Sequence, residues 1–438
     1  MSKKGHNMKN TVVVGAQWGD EGKAKITDLL AEYADVIIRY QGGCNAGHTV
    51  VANNETYKFH LIPSGVLYDN KFCFIGAGTV IHPETFLKET QELIERGVNL
   101  STLKISPLAT ITLPYHIDID GISENTSGKN KIGTTKKGIG PTYSDKIGRY
   151  GLKIQDLYDE ELLNIRLDAI LPLKNKMLEK VYGTKTYSKE EMLEYCRKYA
   201  EIFKPYVCEN WVDKLTCALK EDKKILFEGA QGIMLDIDYG TYPYVTSSSP
   251  IGGGAATGSG IGPTNIKNVI GVTKAYITRV GEGPFVTELL DETGEKIRTI
   301  GGEFGTTTGR PRRCGWFDAV LSRYCVLVGG LTEMAITKLD VFDTFDELKV
   351  CVAYKDKRDG KVYKDYPTNI NMHKYLEPVY ETYKGWKTDI TKSKKMEDLP
   401  ENAKAYLKKL EELVGIPIKI VSVGPDREQT IMLENPFK

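Results

Sequence analysis

Residues 11–25 carry the sequence Thr11-Val-Val-Val-Gly-Ala-Gln-Trp-Gly-Asp-Glu-Gly-Lys-Ala-Lys25, and this stretch decides the fold. Thr11–Val14 is short, apolar and β-branched, and a glycine follows it, which predicts a buried β-strand. Lys25–Tyr33 has apolar residues at helical spacing, and Val36–Arg39 predicts a second strand. A strand, loop, helix and strand in this order are the usual opening of a parallel-sheet fold.

The loop Gly15–Lys25 has the features of an anion-binding site. It joins a strand to a helix N-terminus, where unpaired N–H groups and the positive end of the helix dipole face an anion. Its spacing differs from the standard phosphate loop GxxxxGK[ST], because Gly15 lies seven positions before the Gly-Lys pair and residue 24 is Ala24. Asp20, inside the loop, is the candidate to replace the missing Ser or Thr as a magnesium ligand. A plain strand-to-helix turn with exposed charges is the alternative.

Composition excludes several classes of protein. The chain has 438 residues and 41% hydrophobic content, enough for a large core. Lys and Arg number 59 against 58 Asp and Glu, which argues against a general nucleic-acid binder or a membrane-surface protein. The eight cysteines form no CxxC pair, so we expect reduced, buried thiols and no zinc site. With no signal core and no membrane-spanning stretch, we expect a cytoplasmic location.

Alternating elements along the rest of the chain predict an α/β fold with a large central, mostly parallel β-sheet and flanking helices. The middle differs, because two long charged segments with helical spacing, residues 157–182 and 189–219, predict a helical insertion at about 155–220. We expect one domain over residues 1–438. The glycine-rich tract Ile251–Gly262 predicts a mobile or substrate-shaping loop.

A second glycine-rich loop, Gln41–His48, follows the second strand. Three glycines beside Asn45 and His48 indicate a loop shaped around a ligand. An imidazole next to a phosphate can donate a hydrogen bond or a proton at neutral pH. A lone histidine is more often structural, and that interpretation remains open at this point.

Thr337-Lys-Leu-Asp340 follows an apolar strand and resembles the base-recognition loop [NT]KxD of GTPases. Guanine presents two adjacent donors, N1–H and the 2-amino group, and one carboxylate can accept both, whereas adenine offers no such pair. Asp340 is therefore the candidate for guanine recognition. Ser422–Gly424, after another apolar strand, is the candidate for the other side of the base.

Two further segments are rich in donors for anions. Residues 306–313 place three threonines and three arginines within eight positions. Arginine binds carboxylate or phosphate with two parallel hydrogen bonds, which favours an anion site over a solvated basic turn. Gly133–Pro141 is similar in character, and Arg149 follows it.

These motifs together resemble the adenylosuccinate synthetase family over nearly the whole chain, from Val12 to Pro436. The motifs that carry the resemblance are QWGDEGK at 17–23, GGCNAGHT at 42–49, GTTKKGIGPTYSDK at 133–146, EGAQG at 228–232, TTGRPRRCGW at 307–316 and TKLD at 337–340.

The resemblance implies a GTP-dependent ligase of AMP biosynthesis that joins IMP and L-aspartate into adenylosuccinate, with GDP and phosphate as the other products. It implies 6-phosphoryl-IMP as the intermediate, Mg²⁺ as the cofactor and a homodimer in which Arg149 reaches the partner's site. It implies no nucleic-acid or membrane partner. Asp20 matches the catalytic base, and His48 matches the catalytic acid.

The remaining roles implied by the resemblance fall on five groups of residues. The catalytic group is Asp20, Lys23, His48 and Gln231. The IMP contacts are Asp20, Asn45, Thr135, Arg149, Gln231, Thr246 and Arg310. The aspartate contacts are Thr306, Thr307, Thr308, Gly309, Arg310 and Arg312. The GTP contacts are Gly19, Asp20, Glu21, Gly22, Lys23, Ala24, Lys25, Gly47, His48, Thr49, Arg312, Lys338, Leu339, Asp340, Ser422, Val423 and Gly424. The magnesium contacts are Asp20 and Gly47.

One departure from the family pattern lies in the first loop, where the usual GDEGKGK is GDEGKAK because residue 24 is Ala24. We expect altered nucleotide affinity at most. Two other functions share some of these features: a GTP-binding switch without ligase chemistry, and a metabolic kinase. The switch leaves the segment 306–313, the loop Gln41–His48 and Gln231 unexplained, whereas TKLD and the missing Ser or Thr count against the kinase.

Overall fold

The computed structural model describes residues 10–52, 55–126, 128, 133–305 and 309–438. The helices are α1 (Lys23–Ala31), α2 (Pro83–Glu95), α3 (Pro114–Thr126), α4 (Ile139–Gly148), α5 (Glu160–Lys176), α6 (Lys189–Phe203), α7 (Trp211–Lys220), α8 (Gly252–Ser259), α9 (Glu292–Gly301), α10 (Ala319–Gly329) and α11 (Glu401–Val414).

The strands of the first half are β1 (Thr11–Gly15), β2 (Val36–Arg39), β3 (His48–Ala52), β4 (Glu55–Phe59), β5 (Phe72–Ile75), β6 (Val80–Ile81), β7 (Leu103–Ile105), β8 (Thr110–Ile111) and β9 (Ile225–Glu228). Those of the second half are β10 (Asn268–Lys274), β11 (Ile277–Arg279), β12 (Arg313–Gly315), β13 (Phe317–Asp318), β14 (Glu333–Thr337), β15 (Glu347–Asp356), β16 (Val362–Tyr363), β17 (Leu376–Lys384), β18 (Ile418–Ser422) and β19 (Thr430–Met432).

A nine-stranded sheet in the order β19-β18-β14-β10-β1-β9-β2-β5-β7 forms the centre of the fold. Its strands pair in parallel except for the antiparallel edge pair of β18 and β19. The prediction of a large, mostly parallel sheet with flanking helices is therefore confirmed. Because parallel strands end at one edge, the loops that follow β1, β2, β9, β10, β14 and β18 meet there.

Helices cover both faces of the sheet, which is the usual arrangement for parallel strands. On one face, Val13 of β1 packs in the same core as Ile26 and Leu30 of α1. On the other face, Val12 of β1 packs with Ala255 of α8 and other side chains. Alternate residues of the one strand thus serve two cores, as the pleat of a strand requires.

Two predicted elements differ from the observed ones. The apolar, β-branched run at residues 269–278 predicts one strand, but β10 ends at Lys274 and β11 leaves the large sheet to pair with β12. Residues 316–328 predict a helix, but the observed helix begins at Ala319, because the side chain of Asp318 caps it by accepting from Leu321 N at 3.0 Å.

The glycine-rich tract Ile251–Gly262 is a helix, not the loop that we predicted. Residues 252–259 form α8. Its glycines allow close packing, since a Cβ on Gly258 would lie 2.0 Å from the carbonyl oxygen of Tyr40 and one on Gly254 would lie 2.1 Å from that of Ser249. The helix approaches the end of β2 at a distance that only glycine permits, which outweighs the low helix propensity of glycine.

Helices occupy the region that we expected to be an insertion. α5, α6 and α7 lie within 160–220, and α6 starts with a capping box in which Ser188 and Glu191 satisfy each other's backbone. Leu163 and Phe203 belong to the same core as Val13 of β1. The helices therefore pack against the sheet, and the single-domain organisation remains a prediction from the sequence.

A buried polar cluster joins the insertion to the helices before it. Asp145 of α4 lies 2.9 Å from Nε2 of His116 on α3 and 2.5 Å from Nζ of Lys174 on α5. Leu113 N donates to Nδ1 of His116, so the proton of the neutral ring is on Nε2 and points to the carboxylate. Arg149 immediately follows α4, so this cluster fixes the helix that precedes Arg149.

The cysteines and the helices match the remaining expectations in part. Seven cysteines are buried and free, but Cys217 is exposed on α7, contrary to the expectation that all thiols would be buried. Among the described residues, no helix has the length and apolar character that a membrane span needs.

We predict that Asp145→Asn destabilises the protein by about 1.5–3 kcal/mol, because it leaves the partly buried Lys174, 15% exposed, without its carboxylate. The measurement is the midpoint of chemical unfolding. Asp168→Asn is the control: Asp168 also pairs with a lysine, Lys189, but is 63% exposed, so its loss costs below about 1 kcal/mol. Equal shifts for both variants would contradict the prediction.

Candidate active site

The loop after β1 directs its donors at a carboxylate. Glu21 is fully buried and accepts from the backbone N–H of Gln17 at 3.1 Å and of Gly19 at 2.8 Å. Lys23 donates to the other oxygen of Glu21 at 2.5 Å. Gly22 precedes α1 with φ of 84°, the left-handed conformation that glycine adopts without strain. Two backbone donors and a lysine therefore converge on a carboxylate of the loop itself, and the binding of phosphate by this loop stays a prediction.

Asp20 lies in the same loop and contacts an arginine from a distant segment. Its φ of 61° is unusual for a residue other than glycine. Its carboxylate is 38% exposed and forms an ion pair with Arg312, whose Nε is 2.9 Å from Oδ2. That Nε makes no aligned hydrogen bond among the described residues, so the contact is chiefly electrostatic. Arg312 also pairs with Glu303 at 2.9 Å.

His48 is buried beside the carboxylate of Glu228, a residue of another strand. Its Nδ1 is 2.9 Å from Oε1 of Glu228, which ends β9. Because the carboxylate accepts only, the ring donates from Nδ1, and Nε2 is left without a partner among the described residues. Arg39, which ends β2, donates to the same oxygen at 3.0 Å, and Ser64 donates to Oε2 through its backbone N–H and its hydroxyl.

Burial and charge act against each other in this cluster. Burial lowers the pKa of His48, and the Glu228 carboxylate opposes that shift. Burial alone would raise the pKa of Glu228, but His48, Arg39 and the backbone of Ser64 outweigh it and lower the pKa to about 2. Glu228 is thus a carboxylate at every working pH, and it orients the imidazole.

The second glycine loop meets the loop after β9. Gln231 donates from Nε2 to Oδ1 of Asn45 at 3.1 Å, which brings together two residues that the resemblance assigned to one substrate. Gln231 has φ of 57°, and its Oε1 is buried without a hydrogen-bond partner in the described part of the chain. Tyr143 of α4 holds Gly42 through both its N–H and its carbonyl.

The ends of β14 and β18 are followed by residues that the resemblance assigned to the guanine base. Lys338 has φ of 61° and donates to the carbonyl of Gly301 at 2.7 Å. Oδ1 of Asp340 is buried without a partner among the described residues. Burial raises the pKa of Asp340, against the opposing effect of Lys338 and Lys25. An unpaired, buried acceptor of this kind costs free energy unless a ligand donor satisfies it.

Lys25 of α1 joins the helix that follows the loop after β1 to the segment that follows β18. Its Nζ donates to the hydroxyl of Ser422 at 2.7 Å and to the carbonyls of Gly424 at 2.8 Å and Gln429 at 3.0 Å. All three ammonium donors are therefore used within the protein. Burial lowers the pKa of Lys25 to about 8 despite the nearby Asp340.

The remaining expected residues join this centre less directly. Thr135, Arg149 and Arg310 are exposed, and Thr246 is buried with its N–H bonded to Leu235 O at 2.8 Å. No described contact links Thr135 or Arg149 to the loops above; Arg149 ends α4 with φ of 67°. Thr306, Thr307 and Thr308 lie outside the described residues.

Sequence reasoning missed three buried charged residues of this site: Arg39, Glu228 and Glu303. Arg39 and Glu228 each end an otherwise apolar strand, VIIR and ILFE. A charge at the carboxyl end of a buried parallel strand is the signal that would have found both, because ligands of such sheets bind at that edge. Glu303 follows a helix and carries no comparable signal.

A sequence profile described as adenylosuccinate synthetase matches residues 12–431. The chain belongs to the adenylosuccinate synthetase family. Curated relatives with that name include those of Carboxydothermus hydrogenoformans, 53% identical over 430 residues, and Heliobacterium modesticaldum, 54% identical over 430 residues. Each match covers 98% of this chain and 100% of the relative.

Solved structures agree with this assignment. The fully ligated adenylosuccinate synthetase from Plasmodium falciparum superposes with a TM-score of 0.90 at 40% identity, covering 97% of this chain and 100% of that chain. The succinoaminodeoxyadenylate synthetase of cyanophage S-2L, bound to dGMP and dATP, has a TM-score of 0.61 at 18% identity, with coverage of 98% and 97%. At that identity the second structure supports the fold alone.

A buried glutamate supports the loop that carries His48. Glu89 of α2 accepts from the backbone N–H groups of His60 at 2.9 Å, Leu61 at 3.0 Å and Ile62 at 3.2 Å. His60 in turn places Nδ1 2.7 Å from the carbonyl of Ala46. Burial raises the pKa of Glu89 to about 7, although these backbone donors oppose the shift.

We predict that Glu89 makes stability depend on pH. Its folded pKa exceeds the unfolded one, so its contribution is complete at low pH and is lost as pH rises through about 7. From pH 5 to pH 8, the free energy of unfolding of Glu89→Gln relative to wild type should rise by up to about 3 kcal/mol, because glutamine cannot ionise. Urea unfolding at several pH values measures this, and parallel curves for the two proteins would contradict it.

Proposed function

We propose that this protein is a GTP-dependent ligase that joins IMP and L-aspartate to form adenylosuccinate, with GDP and phosphate as products. The observation that carries the proposal is the meeting of three features at one sheet edge. They are an anion loop with an internal carboxylate, Asp20, a buried His48–Glu228 pair, and an unpartnered buried oxygen of Asp340. Membership of the family supports the same reaction.

The chemistry requires a base beside the purine. The 6-oxo group of IMP is a poor leaving group, and phosphorylating O6 converts it into one that an amine can displace. Loss of the N1 proton makes O6 nucleophilic, and we assign that step to Asp20, the partly exposed carboxylate of the loop. The amine of aspartate then displaces phosphate from 6-phosphoryl-IMP.

His48 is assigned to the phosphoryl group. Glu228 engages Nδ1, so Nε2 is the nitrogen left to donate to a phosphoryl oxygen once the ring is protonated. Burial lowers the pKa of His48, but an incoming phosphoryl group adds negative charge and favours the protonated ring. Lys23 adds a second cation, and preorganised charges of this kind stabilise phosphoryl transfer.

Mg²⁺ fits the residues present. This cation prefers oxygen ligands and keeps several waters, so it needs one or two protein groups plus phosphate oxygens. The exposed carboxylate of Asp20 and the open backbone of Gly47, where an added Cβ would meet nothing within 4 Å, meet that need. When bound, it would neutralise charge on the transferring phosphate.

Asp340 is assigned to the guanine base. Its unpartnered Oδ1 is a ready acceptor for N1–H or the 2-amino group. Leu339, Lys338, Ser422, Val423 and Gly424 form the surroundings of that base in our assignment. The remaining GTP assignments are Gly19, Glu21, Gly22, Ala24, Lys25 and Thr49, although the ammonium of Lys25 is already used by the protein.

IMP and aspartate are assigned to the neighbouring loops. Asn45 and Gln231, 3.1 Å apart, are the central IMP residues, with Thr135, Thr246 and Arg310 around them. We assign aspartate to residues 306–312 with Arg312. We also propose a homodimer in which Arg149 contacts IMP in the partner's site, since Arg149 is exposed at the end of α4.

The test combines the protein with IMP, GTP, Mg²⁺ and aspartate and follows purine absorbance and GDP release. A change that requires all three substrates supports the ligase. GTP hydrolysis that does not depend on IMP or aspartate would instead support a GTP-binding switch. No reaction by folded protein would refute the proposal.

Asp20→Asn should abolish ligase turnover, with a loss of at least about a hundredfold, because the amide cannot accept the N1 proton. GTP binding, measured by calorimetry without IMP, should persist. Asp69→Asn, on an exposed residue to which no role is assigned above, is the matched control and should keep wild-type turnover. Wild-type turnover by Asp20→Asn would remove Asp20 from the role of base.

Asp340→Asn should change which base is used. An asparagine can accept from N1–H but donates toward position 2, where xanthine has an oxygen and guanine an amino group. We expect kcat/KM for GTP to fall by about tenfold to a hundredfold while xanthosine triphosphate becomes a substrate. Steady-state kinetics with both nucleotides measure this. An unchanged preference for GTP would place the base elsewhere.

A further inference from the structure

A second buried charge cluster lies behind Arg312, and none of the assignments above uses it. Lys274, the last residue of β10, and Glu303, which follows α9, are both fully buried. Nζ of Lys274 is 2.7 Å from Oε1 of Glu303. Burying two charges is costly unless they are paired and hydrogen-bonded, so the arrangement of this cluster needs an explanation.

Three side-chain donors bind the carboxylate of Glu303. Its Oε1 accepts from Lys274 and, at 2.6 Å, from the hydroxyl of Tyr276. Its Oε2 accepts from NH1 of Arg312 at 2.9 Å. Lys274 is itself fixed by Thr278, whose hydroxyl is 2.7 Å away. Two of the three donors, Lys274 and Tyr276, lie outside the segment that carries Arg312 and hold Oε1 of Glu303 independently of it.

Arg312 lies between two carboxylates. NH1 points to Glu303, and Nε faces Asp20 at 2.9 Å. The backbone strengthens the first pair, because Arg312 N donates to the carbonyl of Glu303 at 2.9 Å and Gly305 N donates to that of Arg310 at 2.8 Å. Glu303 and Arg312 are thus paired through both backbone and side chains where the segment that we assign to aspartate joins the rest of the chain.

The electrostatic consequence concerns the proposed base. Lys274 and Arg312 are cations, Glu303 and Asp20 are anions, and the four charges balance. If Glu303 lost its charge, Asp20 would be the one carboxylate left to Arg312 among the described contacts, and the repulsion from Lys274 would push the guanidinium the same way. Arg312, which already contacts Asp20 through Nε at 2.9 Å, would then pair more fully with the group that must accept the N1 proton.

We propose that Glu303 is a positioning residue for ligation: it shares Arg312 with Asp20 and so limits how strongly Arg312 pairs with the carboxylate that must accept the purine proton. This inference rests on the proposed function. It assigns to Glu303 a role in turnover that acts through Arg312, without contact to any substrate.

The test measures Glu303→Gln beside wild type for kcat, for KM of each substrate and for GTP affinity without IMP. We expect kcat/KM for aspartate to fall at least about tenfold and GTP affinity to fall by less than that, because Arg312 is one of many GTP contacts assigned above. Tyr276→Phe is the matched control, because it removes another hydrogen bond to Glu303 but leaves Lys274 and Arg312 in place. It should keep kcat within roughly threefold while lowering stability.

A double-variant cycle distinguishes an effect of Glu303 on the position of Arg312 from a general loss of stability. If Glu303 acts through Arg312, the kinetic effect of Glu303→Gln should largely disappear in an Arg312→Lys background. Should Glu303→Gln fail to fold, Lys274→Met with Glu303→Gln removes both charges of the buried pair and leaves Arg312 without its partner, as the test requires.

The outcomes distinguish this inference from the proposed function. Inactive wild-type protein would overturn both. Active wild type with a Glu303→Gln variant that is less stable but has unchanged kinetic constants would overturn the inference alone, as would fully additive effects of Glu303→Gln and Arg312→Lys.

Discussion

The parallel pairing of β1 with β9 and β10 is the constraint on which the rest of the structure depends. Parallel strands end together, so residues more than two hundred positions apart in sequence meet at one edge. The loop after β1, Glu228 at the end of β9 and Lys274 at the end of β10 are neighbours because of this pairing. Helices on both faces then exclude water, which makes each buried charge at that edge depend on a partner.

Buried carboxylates organise the site, and each holds a different element. Glu21 gathers the donors of its own loop, Glu228 orients His48 and fixes Arg39, and Glu303 holds Arg312. Only Asp20 is substantially exposed, at 38%. The proposed division of labour follows from that contrast: protein donors hold the three buried acids, whereas the partly exposed Asp20 has an ion pair with Arg312 and is open to substrate and metal in our assignment.

The fold and most of the site were predictable from short patterns. The buried strand before Gly15, the phosphate-loop geometry and TKLD after β14 each combine composition with position, and the structure places them at one edge. The helix α8 was not predictable, because the need for glycine arises from Tyr40, which is far away in sequence. The same holds for Glu303, whose importance depends on Lys274 and Arg312, and sequence spacing does not reveal such contacts.

The three hydrogen bonds of Lys25 have a consequence for selectivity. They tie the helix of the phosphate loop to the loop that follows β18, so the two ends of the nucleotide site keep a fixed separation. In our assignment, a nucleotide whose base binds Asp340 must therefore be long enough for its last phosphate to reach the loop after β1. One that lacks a phosphate would satisfy the base end and leave the reactive end short of Asp20. Lys25 would thus make the site select nucleotides by the length of their phosphate chain.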